Sequence, residues 1–315
     1  MSTTAEAAIP RHSVRLTALR TGLTPHVLRA WERRYGVVSP IRSQGGQRLY
    51  SDLDIQRLKL LRRLTERGHN IGRLAAATLA DLQRTAQEEG LPARRESNAA
   101  PRTEDVEEFQ TVALDAIRRL DAGDLQVALE RAAVTLGVPV FLDRVAAPTL
   151  HRLGEGWSEG TISISQEHLA SAVFRRVLGW ISRVYEVKEG APVLVVATPP
   201  GHVHELGAMM AANAAAGEGW DVTYLGADLP AADIVAAVRQ SKAKAVALSV
   251  IYPKVDAPLI TELDRLRSAL SPDTLILLGG TAAVEDRDRL TSLGAEVVSS
   301  LADFRSSLQR QVQRQ

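Results

Sequence analysis

Two histidines, His202 and His204, stand in the run Thr198-Pro-Pro-Gly-His-Val-His-Glu-Leu-Gly207. Imidazole binds soft and borderline metals through one ring nitrogen, so the chemistry this loop offers is an axial metal bond. Gly207 has no side chain and would let a bulky group approach the backbone. Further on, Ser249-Val-Ile251 and Gly279-Gly280-Thr281 follow apolar runs. Small residues at the ends of several such runs describe a deep slot. No G-x-G-x-x-G follows the first run, which disfavours a dinucleotide. A second set of reactive side chains lies near the N-terminus. The segment His26–Tyr35 carries Arg29, Arg33 and Arg34 beside His26. A helix that delivers arginine to base edges or phosphates is what a major-groove reader needs.

The elements that must position these groups follow from patterning. Around the basic segment, Leu16–Arg20 reads as a short helix and Thr21-Gly22 as a turn. Thr24 offers a hydroxyl cap and Pro25 fills the first helical position. The helix ends at Gly36. Val27, Leu28 and Trp31 fall on one face, leaving His26, Arg29, Arg33 and Arg34 to face outward. Residues 37–50 predict a hairpin with Gly45-Gly46 at its turn and Arg42 and Arg48 on its flanks, a wing able to grip phosphates. Ser51 or Asp52 caps a further helix, Leu53–Arg67, ended by Gly68.

Residues 89–103 hold two prolines and little apolar material, as a linker would. Residues 104–188 show apolar spacing of three and four throughout and predict a helical bundle. From 189 to 315 strands alternate with helices. The strands are Val193–Ala197, Asp221–Leu225, Ala245–Ser249, Leu275–Leu278 and Glu296–Val298. The helices lie near 205–217, 230–240, 256–269, 284–293 and 301–312. That alternation predicts a parallel sheet covered on both faces, with the histidine loop and both small-residue runs at its carboxyl edge, where ligands bind. The fold class is therefore multidomain, α and α/β, with units at 1–88, 104–188 and 189–315.

Charge separates along the same lines. Residues 1–88 carry 15 Lys/Arg and 7 Asp/Glu, whereas residues 89–315 carry 23 and 30. A small basic module on a larger acidic body suits a nucleic-acid reader with a regulatory part. The absence of cysteine excludes disulfides, thiolate metal sites and cysteine nucleophiles. No signal-peptide core and no spanning apolar stretch is evident, so the expected location is the cytoplasm.

The run Leu28-Arg-Ala-Trp-Glu-Arg-Arg-Tyr-Gly36, then Pro40, Gly46-Gln-Arg-Leu-Tyr50 and the helix to Gly68, resembles the MerR family of transcription regulators. The resemblance implies contacts to double-stranded operator DNA from Thr24, His26, Arg29, Arg33, Arg34, Tyr35, Arg42 and Arg48. Family members dimerise through a long coiled coil after this module, and no such heptad seam precedes the linker here. Assembly as a homo-oligomer, dimer or tetramer, is then expected from the C-terminal part.

The set His202-x-His204-x-x-Gly207, Ser249-x-Ile251 and Gly279-Gly280 resembles the cobalamin-binding domain of corrinoid proteins, marked by D-x-H-x-x-G, S-x-L and G-G. Trp157, nine residues, then Glu167-His168 resembles the four-helix cap of cobalamin-dependent MerR photoreceptors that repress carotenoid-type genes. These likenesses imply a non-enzymatic, light-responsive repressor that binds adenosylcobalamin. His204 would be the lower cobalt ligand. Ser249, Gly279, Gly280 and Thr281 would line the buried tail of the cofactor, beside Gly207 and Ile251. Trp157 and Glu167, with His168, would cover its upper face. Two positions depart from the pattern. Ser158 stands where that group has an upper-ligand histidine, with His151 or His168 as substitutes. His202 stands where the acidic partner of the lower ligand is found. These departures leave open another tetrapyrrole or chromophore, a haem or a bilin, or cobalamin sensing without light. A corrinoid-carrying enzyme subunit is disfavoured by the DNA-reading module.

Overall fold

The computed structural model describes residue 10 and residues 12–23, 25–42, 48–89, 103–183, 185, 187 and 189–313. The chain divides into two compact units, one ending at Arg102 and the other beginning at Thr103. Among the described residues no helix is long and apolar enough to cross a membrane.

The first unit is a helix-turn-helix with a small antiparallel sheet. Its helices are α1 (Val14–Thr21), α2 (Pro25–Tyr35), α3 (Asp52–Glu66), α4 (Ile71–Leu74) and α5 (Leu79–Glu88). The predicted hairpin forms from β2 (Ile41–Arg42) and β3 (Arg48–Tyr50). A third strand, β1 (His12–Ser13), was not expected and pairs on the other side of β3. A two-residue strand leaves no periodicity to read. The Gly45-Gly46 turn and Thr24 lie outside the described residues, as does the side chain of His26. Ser51 caps α3 through a capping box with Asp54, and Thr78 caps α5 in the same way with Asp81. Leu28, Tyr50, Leu58, Leu61, Leu64 and Leu82 form the core.

Arg57 holds this unit together from inside. Its guanidinium donates to the backbone carbonyls of Val37, Ala75 and Ala77, each at 2.6 Å. One side chain thereby fixes the segment after α2 and the α4–α5 connection to α3. Burial pushes its pKa down, and Asp54 opposes the shift.

The second unit begins with a helical cap: α6 (Thr103–Arg118), α7 (Ala122–Leu136), α8 (Val138–Phe141), α9 (Ala147–Ser158) and α10 (Ile164–Ser182). A π-helical turn, Leu142–Ala146, joins α8 to α9. Five parallel strands follow, β4 (Val193–Ala197), β5 (Asp221–Gly226), β6 (Ala245–Ser249), β7 (Leu275–Gly279) and β8 (Glu296–Val297). Their order is β5-β4-β6-β7-β8. One apolar cluster joins the cap to α11 (Leu206–Gly217), α16 (Leu301–Gln313) and one sheet face. A second cluster packs α12 (Ala231–Ser241) and α13 (Ala257–Ala269) on the other face. The single helix expected at 284–293 is two short ones, α14 (Thr281–Glu285) and α15 (Arg287–Ser292).

Replacing Arg57 with alanine would leave three carbonyls without their charged donor. The expected loss is roughly 2–3 kcal/mol in the stability of the first unit, measured by urea denaturation of the full chain.

Candidate functional site

The strand order reverses at β4. The helix after β4 lies on the cap side of the sheet, whereas the helix after β6 lies on the opposite side. The two connections diverge, and a crevice opens between their strand ends. All the predicted ligand residues of this domain lie on that edge. His202 and His204 sit on the loop after β4, Ser249 and Ile251 at the end of β6, and Gly279, Gly280 and Thr281 at the end of β7.

The loop after β4 is fastened at its base. The Thr198 hydroxyl donates to the His202 carbonyl and accepts from the Asp228 amide at 2.9 Å. Asp228 accepts from the Gly201 amide at 2.7 Å. His202 is 2 % exposed, and its Nδ1 has no partner. Burial holds its pKa below the usual imidazole value, against the charges of Asp256 and Asp228 and a hydrogen bond to the Tyr252 backbone. His204 is exposed, and its ring meets the Tyr252 ring edge-on at 6.1 Å. Tyr252 thus lies between the two histidines of the loop, near His202 through its backbone and against His204 through its ring.

The glycines also differ from expectation. At Gly207 it is the Ser249 hydroxyl that approaches, 2.6 Å from where a Cβ would stand, with Ile251 Cδ1 at 3.2 Å. The close approach expected of a bulky guest is made by the chain's own side chains. Gly280 has φ +101°, and a Cβ there would collide with the Val250 carbonyl oxygen. Thr281 is exposed and donates to the Ile251 carbonyl at 3.3 Å.

The cap meets the histidine loop through α10, whose Arg175 donates to Glu205. Glu167 accepts from Ser171 Oγ and His168 Nδ1, both at 2.6 Å. Burial pushes its pKa up, but those two bonds and the charges of His168 and His204 together hold it below the usual carboxylate range. Glu167 thus lies within electrostatic reach of His204. Trp157 is 52 % exposed, so it is not a core residue of the cap. Ser158 turns its hydroxyl back to the Glu155 carbonyl at 2.8 Å, and His151 pairs with Glu155 at 3.2 Å. A cleft of about 810 Å³ opens beside Lys242, Lys244 and Arg267, at the opposite edge of the sheet. Its arginines are spent on backbone carbonyls, Arg239 on Ala269 and Arg267 on Thr274. The His204 edge is the better site on chemical grounds.

On the DNA-reading unit, Arg29, Arg33 and Arg34 are exposed on α2. Arg34 lies over the Tyr35 ring, 5.7 Å from its centre, and Tyr35 itself packs on the core with Trp31. Arg42 is exposed on β2. Arg48 is not a free wing cation, because its Nε donates to Glu32 at 2.9 Å. The buried Tyr50 hydroxyl donates to the other oxygen of Glu32 at 3.1 Å. Glu32 thereby ties the reading helix to the wing.

Comparisons with known proteins agree with both halves. A family profile described as MerR HTH family regulatory protein matches residues 13–79. Two profiles described as B12 binding domain match residues 111–182 and 192–301. The HTH-type transcriptional repressor CarH of Myxococcus xanthus is 32 % identical over 86 % of this chain and 89 % of its own length. This chain belongs to the MerR family of transcription regulators, in the group that carries B12-binding domains. The repressor CarA of the same organism is 28 % identical over 91 % of this chain and 92 % of its own. A Methanosarcina barkeri monomethylamine corrinoid protein shares the fold of the second unit, with a TM-score of 0.55 at 14 % identity, covering 66 % of this chain and 98 % of that one.

Several residues that shape this MerR-family regulator escaped the sequence reading. Glu32 and Arg57 read as ordinary charges on helical faces, and Tyr252 as part of a loop. Glu205, Tyr224 and Arg175 join only in three dimensions. Glu205 accepts from Arg175 Nε at 2.7 Å and from the Tyr224 hydroxyl at 2.6 Å. Nothing in their spacing could have announced this.

Gly280→Ala would force an L side chain into a left-handed backbone against the Val250 carbonyl. It should destabilise the second unit by about 2–3 kcal/mol. Guanidinium denaturation of the full chain would measure the loss.

Proposed function

We propose that this regulator is a light-responsive repressor that binds adenosylcobalamin between the helical cap and the crevice at β4. The observation that carries this reading is the exposed His204 on the crevice loop, within electrostatic reach of Glu167 of the cap. Among the described residues no group of three or more His, Cys, Asp or Glu side chains could hold a metal ion. A lone imidazole fits a metal that arrives with its own equatorial ligands, as in a corrin ring. The orphaned Nδ1 of His202, buried at the foot of the same loop, is an acceptor that an incoming donor could satisfy. Trp157 of the cap is exposed and offers a flat apolar face.

In this reading His204 would hold the cofactor through its cobalt. Ser249, Ile251, Gly207, Gly279, Gly280 and Thr281 border the slot for the cofactor's tail. Trp157, Glu167 and His168 cover the other face. The cofactor when bound supplies a cobalt–carbon bond that visible light can break. Ser158, whose hydroxyl is bonded to its own helix, would offer the cofactor no imidazole.

Control of DNA follows from assembly. The reading unit places Arg29, Arg33 and Arg34 on one exposed helix, and a single such unit has modest affinity. Linking two or more units through the second unit would multiply binding without any new base contact. Dark protein would hold the oligomer and occupy its operator, and light would release both.

Purified protein loaded in the dark should show a corrin spectrum, and His204→Ala should weaken uptake roughly 100-fold. A haem or bilin spectrum, or no uptake of any cobalamin, would overturn the assignment. Illumination should delay elution on size exclusion; identical dark and light volumes would sink light control. Arg33→Ala should cost about 1–3 kcal/mol of operator affinity in gel-shift titrations.

A further inference from the structure

Glu205 follows His204 directly and stands at the entrance to α11. Each of its carboxylate oxygens is taken by a different element. Oε1 accepts from Arg175 on cap helix α10 at 2.7 Å, and Oε2 accepts from the Tyr224 hydroxyl on β5 at 2.6 Å. The Glu205 side chain is only 19 % exposed. Charge-assisted bonds in such a setting are short and directional. Three elements (the histidine loop, the cap and the sheet) therefore meet at one carboxylate.

The cap helix meets the same loop along one face. Glu167, Ser171 and Arg175 lie at intervals of four residues and share one face of α10. Arg175 holds Glu205, and Glu167 stands within electrostatic reach of His204. The helix is fixed along its length. Gln166 donates to the Arg118 carbonyl of α6 at 2.9 Å, Leu169 packs on the apolar core, and Ala170, Val173, Phe174, Val177, Leu178 and Ile181 are buried.

We propose that Glu205 is a positioning residue, the pin that sets the His204 loop against the cap and the sheet at once. Arg175 ties it to α10, which is itself packed into the apolar core, and Tyr224 ties it to β5. His204, the preceding residue, is thereby held in place before any group meets it. This inference rests on the proposed ligand site in identifying what His204 meets, but the pin itself belongs to the ligand-free chain.

The test compares the full chain with Glu205→Gln, Tyr224→Phe, Arg175→Met and Arg175→Lys variants. The first readout is amide hydrogen exchange without ligand. Residues 164–175 and 200–207 should exchange about tenfold faster, together, in Glu205→Gln and Arg175→Met. Tyr224→Phe should loosen 200–207 more than 164–175, and Arg175→Lys should restore much of the protection. Faster exchange in only one of the two segments, or an equal rise across the whole unit, overturns the pin. The second readout is adenosylcobalamin titrated in the dark. Glu205→Gln should bind about tenfold more weakly, with a bound spectrum displaced toward that of His204→Ala. A wild-type affinity and spectrum in that variant overturn the inference. Should the wild-type chain itself take up no cobalamin, the ligand assignment fails, and the exchange pattern alone decides the pin.

Discussion

The reversal of strand order at β4 is the constraint on which the second unit depends. A parallel sheet whose connecting helices all lay on one side would close its carboxyl edge. Here the chain leaves β4 toward the cap side and β6 toward the other, and the edge between them must stay open. Everything chemically distinctive about the unit follows from filling or lining that opening. The Thr198–Asp228 bonds fasten the loop across it, and the Gly207 contact with Ser249 narrows it. The positive φ of Gly280 lets the chain turn beneath Val250. The cap completes the arrangement because its apolar core is continuous with that of α11. The cap and the sheet are thus one packed body, held at the edge by polar contacts through Glu205 and left accessible around Trp157.

The first unit solves a different problem. A reading helix must expose its arginines and still be rigid, because a mobile donor loses the geometric selectivity of a base contact. Glu32 is the means. It stands on α2 among Arg29, Arg33 and Arg34, yet its carboxylate is turned inward to Arg48 and Tyr50. The helix is clamped by a residue that contributes no surface charge of its own. Tyr50 sits in the core with its hydroxyl on that carboxylate, so burial and the adjacent negative charge both raise its pKa. It remains protonated and a donor across the physiological range.

Much of this was legible in the sequence, for identifiable reasons. The five strands matched closely because each is a short apolar run bounded by turn residues, the pattern a fully covered parallel strand must have. The α2 helix was legible because Leu28 and Trp31 recur at helical spacing and Gly36 stops it. His204 stood out because a Gly-Pro-rich loop at a strand end has little other use for two imidazoles. What escaped was pairing across distance. Arg48 was read as a phosphate grip because a sequence does not reveal that Glu32 lies opposite it. The role of Gly207 was read as space for a guest, since the proximity of Ser249 depends on how α11 meets β6. Glu205 lies 30 residues after Arg175 and 19 before Tyr224, and no local rule couples them.

The energetics decide how a signal at His204 could matter to DNA. To carry a two-state equilibrium from one side to the other takes about 5.5 kcal/mol of differential binding. One carboxylate with two hydrogen bonds offers a fraction of that, as does one exposed histidine–glutamate contact. Such a contact therefore cannot switch an isolated DNA-binding unit by itself. An interface adds many weak terms, and symmetric assembly repeats the same small change in each copy. The exposed Val112, Leu120 and Val127 on and between α6 and α7 show that the cap carries apolar surface beyond what its own core uses. The size of the available energies thus favours a readout that sums many such surfaces over one that relies on a single contact.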